Sequence, residues 1–96
     1  MDRAEAKALL AEWLVAYRRK PFADLVRLVD DPDVDEVVGR SGVRYQLEAM
    51  AVWDDRRREN LRVIGMIDDG GWRAFRPLTV DFIMAPDGTF IGEDGD

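Results

Sequence analysis

The apolar residues change their spacing once, near residue 33, and that change restricts the chain to helices followed by strands. Before it, Ala6, Leu9, Leu10, Trp13, Leu14 and Tyr17 recur at intervals of three and four, which predicts one amphipathic helix over residues 2–20. Asp2 with Glu5 three residues later has the form of a capping box with Asp in place of Ser or Thr. Arg18, Arg19 and Lys20 fall where a helix C-terminus favours cations, and Pro21 blocks simple continuation. Phe22, Leu25, Val26 and Val29 repeat the spacing, predicting a shorter helix over 22–29 with Pro21 in its first turn. Asp30-Asp31-Pro32-Asp33 ends it, because carboxylates oppose a helix C-terminus.

From residue 34 the period is two. Strands are predicted at 34–38, 43–53, 61–67, 79–85 and 89–91. Ser41-Gly42, the charged stretch 54–60, Asp68-Asp69-Gly70-Gly71 and Ala85-Pro86-Asp87-Gly88 supply the connections. In the second strand Tyr45, Leu47, Ala49, Ala51 and Trp53 share one face, while the other turns apolar at Met50 and Val52. In the third, Leu61, Val63, Gly65 and Ile67 alternate with Arg62, Ile64 and Met66, so both faces are largely apolar and the strand belongs in the middle of a sheet. Gly65 predicts a bulge there, or the close approach of a neighbour such as a tryptophan ring. The expected fold is α+β: one long and one short N-terminal helix packed on an antiparallel meander sheet of four to five strands. It forms one domain over residues 1–96, with a loosely ordered acidic tail from about 93. Leu10 and Trp13 should meet residues such as Leu47, Val63 and Phe82, on a sheet face that the pattern leaves open.

Composition narrows the function classes. The 96 residues hold no histidine and no cysteine, which removes thiolate chemistry, histidine bases and disulfides together. A hydrophobic content of 47% excludes a disordered chain. Twenty acids against 14 bases give a net charge of −6, which repels a phosphate backbone and argues against nucleic acid. Arg56-Arg57-Arg58 is the local exception, yet Asp54, Asp55 and Glu59 cancel much of its field, and it reads as a solvated loop. The start of the chain carries acids within its first apolar stretch, unlike a signal peptide, and no apolar run approaches the length of a membrane span. The expected setting is cytoplasmic, without membrane or nucleic-acid partners.

Several segments of the second half form a distinctive run: Arg44-Tyr45-Gln46-Leu47-Glu48, Val52-Trp53-Asp54-Asp55, Arg62-Val63-Ile64-Gly65-Met66-Ile67-Asp68-Asp69-Gly70-Gly71-Trp72-Arg73-Ala74-Phe75, then Pro77-Leu78-Thr79 and Phe82-Ile83-Met84-Ala85-Pro86-Asp87-Gly88. Over about residues 40–92 this resembles a family of small bacterial α+β proteins with an RYQVE…VWDD…RVIGSIDDGGWRAF…SFIMAPDG pattern and no assigned activity. Met66 and Asp81 stand where that pattern has serine. The resemblance implies the order of the elements and no chemistry.

Chemistry is hard to assemble from what remains. The hydroxyls of Ser41, Thr79 and Thr89 have no histidine to activate them, and no catalytic residue, cofactor or metal ligand is assigned. Asp54-Asp55 and Asp68-Asp69 sit at opposite ends of one strand, too far apart for a joint site, and Asp68-Asp69-Gly70-Gly71 reads as turn chemistry, not as a calcium loop. The expected function is a non-enzymatic protein-interaction or homo-oligomerising module, acting through a sheet face or through a candidate patch of Trp72, Arg73, Phe75 and Arg76. Against the patch stands the plainer role of Trp72 and Phe75 as plugs of a small core. The alternative is a small-ligand or cation-binding domain. Its pocket would lie between helix and sheet, floored by Tyr45, Trp53 or Trp72, with Asp68, Asp69 or Asp81 at the rim.

Overall fold

A computed structural model describes residues 2–71 and 77–93. It has two N-terminal helices on one face of a five-stranded antiparallel meander, the α+β arrangement expected from the change of period. Helix α1 spans Arg3–Arg18 and buries Ala6, Leu10, Leu14 and Tyr17, one residue per turn along a single stripe. Asp2 caps it by accepting a hydrogen bond from the Glu5 backbone N–H at 3.0 Å. The reciprocal half of the capping box is not made. The Glu5 carboxylate instead accepts from the Ser41 N–H at 3.0 Å, the Ser41 hydroxyl at 2.6 Å and the Tyr45 hydroxyl at 2.8 Å. Three donors from the sheet outcompete one local N–H, and they tie the start of α1 to the first hairpin.

Pro21 is the extended cap of α2 (Phe22–Val26) and not part of its first turn. The predicted helix over 22–29 tightens into a 3₁₀ turn at Arg27–Val29, closed by the Asp31 N–H on the Arg27 carbonyl at 3.0 Å. Asp30 and Asp31 disfavour any further helical turn there.

Strands β1 (Asp33–Val38), β2 (Arg44–Trp53), β3 (Leu61–Asp68), β4 (Leu78–Met84) and β5 (Phe90–Ile91) follow in sheet order β1-β2-β3-β4-β5, which places β3 at the centre. Directly opposed residues share a face, so the register assigns every side chain. Tyr45, Leu47, Ala49 and Ala51 of β2 lie beside Leu61, Val63 and Ile67 of β3, and Phe82 and Met84 of β4 complete the layer; all are buried. Val37 of β1, opposite Tyr45, belongs to the same face. This is the face α1 covers.

The contact that seats the helix is at Gly65. A Cβ there would stand 2.7 Å from Leu14 Cδ1, so the close neighbour is a leucine of α1, not the tryptophan considered above. There is no bulge, since the pairing Ala49↔Gly65↔Val80 runs through unbroken. Leu10 lies fully in the core, whereas Trp13 is half-buried at its margin, edge-on to Tyr17 with centroids 4.9 Å apart. Trp53 is also half-buried, tilted over Phe22. At the other end, the Arg18 guanidinium lies 4.3 Å from the Phe90 ring centroid and pairs with Glu93.

Candidate interaction surface

The face of the sheet turned away from α1 is built from the intervening residues. Across the strands these are Val34, Glu36 and Val38; Arg44, Gln46, Glu48, Met50 and Val52; Arg62, Ile64, Met66 and Asp68; Thr79, Asp81 and Ile83; and Ile91. No second layer of described residues covers them. Its apolar residues are interleaved with charged ones: Met50 opposes Ile64 and Ile83 opposes Ile91, while Glu48 opposes Met66, Asp81 opposes Ile64 and Arg62 opposes Ile83. Met50, Ile64, Met66 and Ile83 on this face are half-buried. Val34 and Val38 on the edge strand are 73% and 57% exposed. The period of two in β3, apolar in both phases, therefore reflects a central strand with one phase under a helix and the other on a face that no described element covers.

The polar residues of this face divide into paired and unpaired groups. Arg62 donates to Asp54 at 2.8 Å and also to Asp81, and these two carboxylates push its pKa upward, Asp81 more than Asp54. Arg44 donates to Glu36 across β1 and β2 at 2.7 Å. Asp68 accepts the Gly70 N–H at 2.8 Å, and Asp69 the Gly71 N–H at 3.1 Å, as expected for turn-forming aspartates. The Gly71 bond is the main cause holding the Asp69 carboxyl below the usual range. The Glu48 carboxylate accepts no hydrogen bond and forms no ion pair with a described residue. Beside it lies a concavity of about 420 Å³, lined by Val34, Gln46, Glu48, Met66, Asp68 and Pro77.

The helix side carries the strongest electrostatic perturbations. Burial, then the Glu5 carboxylate, pushes the Tyr45 hydroxyl up to about 12. Its partner is moved the other way: hydrogen bonds from Ser41 and Tyr45 hold the Glu5 carboxyl below its ordinary range. Tyr17 is raised by burial and by its hydrogen bond to Asp33 at 2.7 Å. These groups are tied off by one another and hold the helix to the sheet.

Of the residues named for the alternative ligand pocket, two pairs lie on opposite faces of the sheet. Tyr45 and Trp53 are on the helix face, with Tyr45 fully buried, while Asp68 and Asp81 are on the opposite face, Asp81 in an ion pair. The separation follows from strand parity, because one residue of offset moves a side chain to the other side of the sheet. Trp72, Arg73, Phe75 and Arg76 lie outside the described residues. The Arg56-Arg57-Arg58 loop is solvent-exposed, as its sequence suggests. Among the described residues no three of His, Cys, Asp and Glu group as metal ligands, and no helix is long and apolar enough to cross a membrane. Comparison with known families, curated proteins and solved structures finds no match for the chain.

Composition alone could not show that Ile83, Thr79 and Asp81 join the Met50–Ile64 surface. The alternation of Thr79, Asp81 and Ile83 with buried Phe82 and Met84 was the available signal, but the register was needed to align it with β3.

Proposed function

We propose that this chain is a non-enzymatic protein-interaction module whose contact surface is the open sheet face. One observation carries the reading: Met50, Ile64, Met66 and Ile83 span three adjacent strands on one face, and among the described residues no second layer covers them. Sheets with one apolar face must bury it against another element, and contiguous exposed apolar patches mark interaction surfaces.

Position-specific photo-crosslinking in cells tests the reading. A photoreactive residue at Thr79, exposed on the open face, should capture a protein, and the same residue at Val15, exposed on the outer side of α1, should not. Equal capture from both positions, or none from Thr79, overturns it.

A further inference from the structure

An apolar face alone does not say what covers it; on this face the charges do. The strands place Glu36, Glu48, Asp68 and Asp81 on it against Arg44 and Arg62. Both arginines are already engaged by carboxylates within the chain, Arg44 by Glu36, and Arg62 by Asp81 and Asp54. Among the described residues, what remains toward a partner is an acidic excess centred on Glu48 and Asp68, on a chain whose net charge is already −6. A second copy would press the same excess against it, inside the roughly 8 Å over which charges act at physiological ionic strength. A cationic surface would gain from that excess.

The concavity beside Glu48 fits a cation with an apolar stem. Val34, Met66 and Pro77 form its apolar side, and Glu48 and Asp68 supply its carboxylates. Lysine and arginine bury their methylenes along such a surface and keep the head group at its polar end. We propose that the open face receives a cationic amphipathic segment of another protein, with a lysine or arginine anchored between Glu48 and Asp68 and apolar side chains over Met50, Ile64 and Met66.

This rests on the open face being the contact surface, and its test is separable from the crosslinking experiment. Two synthetic peptides of about fourteen residues, roughly 20 Å as a helix, share one leucine pattern; one carries lysines on its polar side and the other glutamates. Each is titrated calorimetrically into the full chain and into two variants, Glu48→Gln on the open face and Glu12→Gln on the exposed side of α1. The lysine peptide binds the wild type and the glutamate peptide does not. Glu48→Gln weakens binding about three-fold, as loss of a solvent-accessible ion pair does, and Glu12→Gln leaves it unchanged. Equal binding of both peptides, binding of neither, or equal losses in the two variants overturns the inference. So does light scattering that finds a dimer which Ile64→Glu dissociates, since a second copy then occupies the face. If Thr79 captures a partner while the peptides fail, the contact surface stands and its cationic occupant falls.

Discussion

Gly65→Ala is the smallest change that reports which sheet face α1 occupies. The new Cβ would stand 2.7, 2.8 and 2.9 Å from Leu14 Cδ1, Cδ2 and Cγ, where ordinary carbon contacts are about 3.5–4.0 Å. Leu14 cannot simply swing away, because it is 2% exposed and held in the core beneath α1. Helix or strand must therefore shift by several tenths of an ångström. Overpacking of this kind destabilises by about 1–3 kcal/mol, and removal of a strand glycine returns about 0.5–1 kcal/mol. The net expectation is a loss of about 1–2 kcal/mol, read as a fall in melting temperature of about 5–15 °C for a domain of this size. Urea unfolding of the wild type, Gly65→Ala, Leu14→Ala and the double variant completes the cycle. Leu14→Ala alone leaves a cavity and should lose about 3 kcal/mol. In the double variant the new methyl enters that cavity, so the loss is smaller than the sum by about 1–2 kcal/mol. Additive losses, or a stabilising Gly65→Ala, would mean that Leu14 does not rest on residue 65 and that the assignment of faces is wrong.

Other predictions probe the same architecture. Val63 and Ile64 are neighbours on opposite faces, Val63 fully buried. Val63→Ala should lose about 2 kcal/mol in urea unfolding through the cavity it leaves, whereas Ile64→Thr should lose less than about 1 kcal/mol. Tyr45 is raised from 10 to about 12, so its contribution to stability is complete below pH 10 and is lost as pH rises toward 12. In a Tyr17→Phe background, Tyr45→Phe should flatten the fall in melting temperature across that window. Glu5 is shifted downward, so its contribution is present above its unfolded value of 4.5 and is lost as pH falls through its lower folded value. Glu5→Gln should remove that part of the acid sensitivity. Gly39→Ala should loosen the same contact, because a Cβ there would collide with the Glu5 carboxylate; exchange of the Ser41 amide should accelerate in both variants.

The two periods made the element order legible, and β3 could be placed centrally because Ile64 and Met66 share a strand with Val63 and Ile67. Local turn chemistry was equally readable: Asp87 accepts from both the N–H and the hydroxyl of Thr89, and Gly88 takes φ +89°. What escaped were choices made by tertiary contact. Glu5 has the spacing of a capping residue, but Ser41 and Tyr45 are brought to it by a hairpin more than thirty positions away. Asp68 and Asp81 resembled rim partners for Tyr45 only while parity between strands was unknown. Gly65 announced a close neighbour without naming it, since Trp13 and Leu14 are adjacent on α1 and only the helix rotation decides between them.

Methionine oxidation followed by mass spectrometry tests most directly whether the open face is the surface this protein uses. Met50 and Met66 lie on that face and Met84, 2% exposed, lies under the helices, so each molecule carries its own internal reference. With peroxide, the purified chain should oxidise at Met50 and Met66 several-fold faster than at Met84, and in intact cells Met50 and Met66 should be protected to the level of Met84. Met84 reacting as fast as the other two in the purified chain, or Met50 and Met66 reacting as freely in cells as in isolation, would contradict the account.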